Sequence, residues 1–126
     1  LVAVQYRNTL TGDLIRFDLA ANPEDAGHRR PYLETVLHAR ILAARPEVNC
    51  VVHHHARPVL PFTVTSRTLR PVFHMGSVMG ATVPVWDSQA EFGDTNMLID
   101  TLPKADSLAA ALGPHSCALL KRHGLA

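Results

Sequence analysis

Arg45-Pro46-Glu47-Val48-Asn49-Cys50-Val51-Val52-His53-His54-His55 is an apolar, strand-forming run that ends in three consecutive histidines. Side chains alternate between the two faces of a β-strand, so His53 and His55 are expected to project together and His54 to point away. Two imidazoles one pleat apart can share one divalent cation, because neutral histidine nitrogens are good ligands for such ions. A later histidine, in Arg122-His123-Gly124, follows a second apolar run, Ser116-Cys117-Ala118-Leu119-Leu120. Brought beside the first two, His123 completes a three-imidazole set with coordination left open for a substrate. Each histidine taken singly is better explained by the surface or by interior packing. The H-x-H at the end of an apolar strand gives the pattern its weight.

Before this run, Leu33, Val36, Leu37, Ile41 and Ala44 are spaced for a helix over residues 31–44, opened by Pro31 and stopped by Pro46. Glu34 falls in its first turn, where a carboxylate is favoured by the helix dipole. His38 comes one turn later on the same side, placed to bond Glu34 or to sit in the interior against backbone. Earlier still, residues 1–5 alternate loosely as a strand, 6–12 read as a turn and 14–19 as a clearer strand. Residues 21–27 form an exposed, mobile loop.

After the histidines, residues 56–64 read as a short helix with Pro58 near its start. A turn at Ser66-Arg67, a short strand over 69–73 and a glycine-flanked segment over 74–80 follow. Residues 83–86 form a strand that Pro84 restricts to a sheet edge. Asp94-Thr95 can cap a helix running to Leu102. A further helix begins at Pro103 or Ala105 and stops at Gly113. Helices and strands alternate through short links, which places the chain in the α/β class.

The 126 residues are enough for one domain with a real core. At 47% hydrophobic and 18% charged, with net charge +1, the chain is neither disordered nor strongly basic. It carries no basic stripe or aromatic ladder for nucleic acid, and no apolar run of the ~18 residues a membrane helix needs. Cys50 and Cys117 lie in apolar runs and are expected as buried free thiols, with a disulfide as the other option. A cytoplasmic location is expected. The chain opens on Leu1 rather than Met and is expected to be the middle of a longer protein, or the ordered part of one.

Together these pieces resemble the class II aldolase/adducin family, over most of the chain from about Leu14 to Gly124. The resemblance rests on Glu34, the Ala44-Arg45-Pro46-Glu47-Val48 connection, Val51-Val52-His53-His54-His55, and Leu119-Leu120-Lys121-Arg122-His123-Gly124. It implies an α/β fold: one domain over residues 1–126, incomplete at both ends, built as a three-layer α/β/α sandwich on a mostly antiparallel central sheet. It also implies a homotetramer with sites between subunits. By position it makes His53, His55 and His123 the metal ligands and Glu34 the acid that moves protons at the reacting carbon. His54 is given no role. The implied cofactor is a divalent ion, zinc first, with manganese, cobalt and iron as alternatives that His-rich sites accept.

Within the family, Pro31-Tyr32-Leu33-Glu34, His55-Ala56-Arg57 and Phe73-His74-Met75-Gly76 look like the branch that decarboxylates hydroxylated aromatic dicarboxylic acids, of the dihydroxyphthalate or hydroxypyridine-dicarboxylate kind. Sugar-phosphate aldolases of the family place small hydroxyl residues just before the catalytic acid. Tyr32 and Leu33 stand there instead, and Thr11-Gly12 is only a faint echo of a phosphate loop. The implied reaction, a step in aromatic catabolism, is loss of carbon dioxide through a metal-bound enolate. Glu34, or a water it orients, is the candidate proton donor, with His74 as a second. Arg57 is the candidate for gripping a substrate carboxylate, with surface solvation as an equal explanation. Arg7, Arg67 and Arg70 are less constrained. Trp86 and Phe92 line a pocket or an interface, or in the case of Trp86 fill the core.

Two other functions share these residues. One is a sugar-phosphate aldolase or epimerase using the same metal. The other is a non-catalytic adducin-like scaffold, which would be expected to have lost ligands that this chain keeps. A cupin would need a glutamate shortly after the second histidine, and Ala56-Arg57-Pro58-Val59-Leu60 has none. A metal-dependent amidohydrolase barrel needs roughly 250 residues.

Overall fold

A computed structural model describes residues 14–126 and the backbone of strand β1 (Val2–Ala3). The turn expected over 6–12, together with Arg7 and Thr11-Gly12, lies outside the described residues. The chain groups into two units, Leu1–Val51 with Ile99–Asp106, and Val52–Leu98 with Ser107–Ala126.

In the first unit, β2 (Ile15–Arg16) pairs antiparallel with β1, Val2 opposite Arg16 and Ala3 opposite Ile15. The strand expected over 14–19 is cut short because the chain turns back on itself, with Phe17 bridging Pro23. Asp18 Oδ1 accepts the backbone N–H groups of Ala20 and Asn22, each at 2.8 Å, and Ala21 takes a left-handed φ of 65°. Such side-chain bonds to nearby backbone replace ladder bonds and favour turns. The loop over 21–27 is largely exposed, as expected, and is tied down where Asp25 pairs with Arg16 at 3.1 Å.

Helix α1 (Thr35–Ala44) begins at Thr35 and not at Pro31. Leu33 and Glu34 form a turn ahead of it, and Thr35 Oγ1 donates to the Tyr32 carbonyl at 2.6 Å. Leu33 therefore drops out of the apolar face and is exposed, while Leu37, Ala39 and Ile41 are buried. The Arg45 N–H closes the helix on the Ile41 carbonyl at 2.9 Å. Pro46 then disfavours a helical conformation at Arg45. His38 Nδ1 lies 3.1 Å from the Val51 carbonyl oxygen, the backbone option of the two expected for it.

The second unit is built around β4 (Leu119–Leu120), with β3 (Val85–Trp86) parallel on one side and β5 (Gly124–Leu125) antiparallel on the other. Among the described residues β3 is an edge strand, in line with the expectation from Pro84, which directly precedes it. Cys117, Ala118, Leu119 and Leu120 are all buried, as a continuous apolar strand run predicts. Val83, Cys117 and Leu119 form a core on which Val59, Phe62, Leu69, Met79 and Leu125 pack. Helix α2 (Leu60–Val64) packs against β4 with Pro61 in its first turn; Pro58 lies in the turn before it.

Three expectations are corrected in this unit. The histidine run is not a regular strand: only His54 bridges to β5, through bonds of 3.0 and 3.1 Å with Leu125. Residues 69–73 form no strand, and a 3-10 helix, His74–Met79, follows them. Its Gly76 is close to Pro71, whose Cβ a methyl group there would meet at 3.2 Å. The helix expected from Asp94-Thr95 does not form. Thr95 and Asn96 side chains accept the N–H groups of Met97 and Leu98 instead, which makes a turn. The cap falls earlier, at Asp87, which opens α3 (Ser88–Phe92).

Helix α4 (Leu102–Leu112) ends at Gly113, whose φ of 52° is the left-handed stop expected there. Its residues through Asp106 belong to the first unit and those from Ser107 to the second. Trp86 fills the core and donates from Nε1 to Ser107 Oγ at 2.9 Å. Cys117 is buried as expected, whereas Cys50 is exposed; both are free thiols. The architecture is thus mixed α/β, with parallel and antiparallel pairs in small sheets. Among the described residues, no helix is long and apolar enough to cross a membrane.

Candidate metal centre

β4 and β5 are joined by a tight turn, Lys121-Arg122-His123, in which the His123 N–H returns to the Leu120 carbonyl at 3.0 Å. Arg122 adopts a left-handed φ of 62°, a conformation that costs a non-glycine residue about 1–2 kcal/mol. The turn is held from two sides: the Lys121 N–H bonds the Trp86 carbonyl at 2.8 Å and the Arg122 N–H bonds the Thr63 carbonyl at 3.0 Å. β5 then runs beside His54. The backbone bridge from His54 to Leu125 sets the two segments side by side, and one bridge is enough to keep the alternation of His53, His54 and His55.

The three imidazoles His53, His55 and His123 consequently cluster. Ring centroids are 4.7 Å apart for His53–His55, 4.9 Å for His53–His123 and 4.7 Å for His55–His123. One ring nitrogen from each lies within 4.8 Å of the others. His53 and His123 are partly buried and His55 is exposed, so the cluster opens to solvent on the His55 side. His54 takes no part; its Nδ1 accepts the Ala56 N–H at 3.2 Å.

The hydrogen bonding specifies which nitrogens are available. His53 Nδ1 lies 3.0 Å from the Leu125 carbonyl oxygen, which can only accept, so Nδ1 carries the proton. In the neutral ring, Nε2 then presents its lone pair. It faces His55 Nε2 at 3.0 Å. Two ligands at about 2.0–2.1 Å on a tetrahedral ion are separated by roughly 3.3 Å, so this spacing suits a shared cation. A backbone carbonyl bonded to the far nitrogen of a ligating histidine is also the usual way such a ring is oriented. The donor set fits a zinc-like divalent ion.

Gly124, next to His123, is dictated by space. A Cβ there would stand 2.5 Å from the His54 carbonyl oxygen and 2.8 Å from His55 Cδ2. Only glycine lets β5 lie beside the histidine run, which gives the His-Gly pair in the sequence a steric cause.

Glu34, in the first unit, is not the helix-starting acid its position suggested. It occupies the N-cap position of α1 without capping it, and is buried at 1% exposure. Oε1 accepts the Ile99 N–H at 3.0 Å and Oε2 accepts the Tyr32 hydroxyl at 3.0 Å. A buried carboxylate needs such partners, and the pair fixes its orientation. Tyr32 was singled out in the sequence as part of the Pro31-Tyr32-Leu33-Glu34 motif and for standing in place of a small hydroxyl residue; its bond to Glu34 was missed. His74 and Arg57 are exposed. His74 stacks edge-on with Phe73, ring centroids 5.9 Å apart, and sits on the 3-10 helix rather than in the imidazole cluster.

Two further residues shape the turn that carries His123. Lys121 Nζ and Arg122 Nη2 both bond the Asp87 carboxylate, at 2.6 and 2.9 Å. The Lys121 bond, ahead of the contributions from Gln89 and Arg122, holds the Asp87 carboxyl below the usual carboxylate range, against the opposing effect of burial.

Residues 2–126 match the family described as Class II Aldolase and Adducin N-terminal domain. Decarboxylase tropJ of Talaromyces stipitatus is 39% identical over 73% of this chain and 34% of its own length. A Terrabacter 3,4-dihydroxyphthalate decarboxylase is 30% identical over 75% of this chain and 39% of its own. A Streptomyces roseochromogenus protein named 4-hydroxy-3-prenylphenylpyruvate oxygenase/4-hydroxy-3-prenylbenzoate synthase is 31% identical over 94% and 41%. The crystal structure of an aldolase II superfamily protein from Pseudomonas syringae superposes with a TM-score of 0.68 at 24% identity, covering 90% of this chain and 44% of that one. The chain thus spans between a third and a half of the length of these relatives. On the match over residues 2–126, this chain belongs to the class II aldolase and adducin family.

Proposed function

We propose that the protein is a metal-dependent carbon–carbon lyase that decarboxylates a hydroxylated aromatic carboxylic acid. The observation that carries this reading is the cluster of three imidazoles, with two Nε2 atoms 3.0 Å apart. His53, His55 and His123 would hold a divalent ion, zinc first, with manganese, cobalt and iron as alternatives. Bound there, the ion supplies Lewis acidity toward substrate oxygen atoms.

Glu34 is assigned as the acid that delivers a proton to the ring carbon vacated by carbon dioxide. Ile99 fixes Oε1 through a backbone N–H, which cannot change role. Tyr32 meets Oε2 through a hydroxyl, which can turn from donor to acceptor when that oxygen is protonated. The carboxyl is therefore held in place through both of its protonation states. Arg57 is assigned to a substrate carboxylate as a bidentate partner, and His74 is retained as a second proton donor.

The substrate class is supported by the relatives named as decarboxylases, one of them for 3,4-dihydroxyphthalate. We further propose that residues 1–126 act as a single domain of a three-layer α/β/α sandwich on a mostly antiparallel sheet. The same reading makes the protein a cytoplasmic homotetramer with sites between subunits.

The test is carbon dioxide release from 3,4-dihydroxyphthalate by the zinc-loaded full-length protein. Stoichiometric release without oxygen consumption is expected. Aldehyde formation from a sugar phosphate, with no release from aromatic acids, would overturn the reading in favour of an aldolase. Release only with oxygen uptake would place the chain with the oxygenase named above.

A further inference from the structure

We propose that Asp87 is a positioning residue for His123, acting through the turn that carries it. The proposal rests on reading His53, His55 and His123 as one ligand set. Asp87 follows β3 directly, and its carboxylate gathers three donors. Oδ2 takes Lys121 Nζ at 2.6 Å, and Oδ1 takes Arg122 Nη2 at 2.9 Å and the Gln89 N–H at 3.2 Å. The last bond anchors the carboxylate to the first turn of α3. The first two fix consecutive side chains immediately before His123. Charge-assisted bonds of this kind are the stronger ones, and they recruit two long side chains from one turn.

The turn needs that restraint. Arg122 holds its left-handed φ of 62°, and the Asp87 bonds act on this turn together with the backbone bonds to Trp86, Thr63 and Leu120. With the carboxylate gone, Lys121 and Arg122 repel each other and the turn can relax, carrying the His123 ring away from His53 and His55. The Asp87 carboxylate is 22% exposed and its partners Lys121 and Arg122 are 42% and 33% exposed, so the bonds matter for the geometry they impose on the turn more than for their energy. Partners that orient a metal ligand from behind typically change metal affinity by about 10–100-fold when removed.

Cobalt(II) titration of the full-length protein, followed by visible absorption, reads this without turnover. Asp87→Asn is expected to raise the cobalt Kd about tenfold or more, and Asp87→Glu to recover most of the loss. In a His123→Ala background, Asp87→Asn should leave the weaker residual Kd unchanged. An equal Kd for wild type and Asp87→Asn overturns the proposal, as does the same loss with and without His123. Should Asp87→Asn not fold, the pair Lys121→Gln and Arg122→Gln decides. Charge alone would tighten cobalt when two cations are removed, whereas loss of positioning weakens it; tightening overturns the proposal. A wild-type protein that binds no cobalt overturns the metal reading itself and this inference with it.

Discussion

Gly124 stands so close to His54 that a methyl group on its Cα would lie 2.5 Å from the His54 carbonyl oxygen. The same methyl would press on His55 Cδ2 at 2.8 Å, so one glycine governs both the bridge of β5 to the histidine run and the setting of a candidate ligand. Gly124→Ala is expected to cost about 1–3 kcal/mol, as overpacked sites do. It should weaken cobalt binding in parallel. Urea denaturation and metal titration of one preparation check both; a variant with unchanged midpoint and Kd would contradict the contact.

Loss of a ligand and loss of the acid should separate. His55→Ala is expected to remove both metal binding and turnover. Glu34→Gln should keep the metal and lower turnover by about 10²–10⁴, the usual share of a positioned acid or base. Full activity in the Gln variant would take Glu34 out of the reaction.

Asp87 makes the second unit sensitive to acid. Its carboxyl is held below the ordinary range, chiefly by the Lys121 hydrogen bond. A lowered folded value stabilises the protein above the unfolded carboxyl value of about 3.9 and loses that contribution as pH falls through the folded value. The urea midpoint of the wild type should therefore drop more steeply from pH 5 to pH 3 than that of Asp87→Asn, with the two curves parallel above pH 5. Parallel curves throughout would show that the ion pairs contribute nothing to folding.

The two thiols should react one at a time. Cys50 is exposed, while burial pushes the Cys117 thiol up and shields it. Because the thiolate is the reactive form, a disulfide-exchange reagent should titrate one thiol in the native protein and the second only after denaturant is added. Two equivalents released natively would mean that β4 opens readily.

Much of the candidate site was legible locally. The period-two spacing of His53 and His55, the apolar run into Lys121-Arg122-His123-Gly124 and the edge position expected from Pro84 are properties of short segments. They reappear in the structure in the imidazole cluster and the place of β3. The helix starts were less legible, because capping signals are cheap. Asp87-Ser88 and Asp94-Thr95 look alike as sequence, and only Asp87 finds Lys121 and Arg122 across the sheet. What holds Glu34 was illegible for the same reason: its partner Ile99 is 65 residues away, and no local rule points to it.

The amino-acid sequence by itself determined the family, the α/β class and the residue types capable of holding a cation, because alternation, apolar runs and the His-Gly pair are set by nearest neighbours along the chain. Tertiary structure decided the rest: that His123 meets His53 and His55, which nitrogen of His53 presents its lone pair, and what holds Glu34 and the 121–123 turn. Those outcomes depend on hydrogen bonds between groups far apart in the chain, such as Leu125 to His53 and Ile99 to Glu34. Such partners are chosen by the packing of strands and helices.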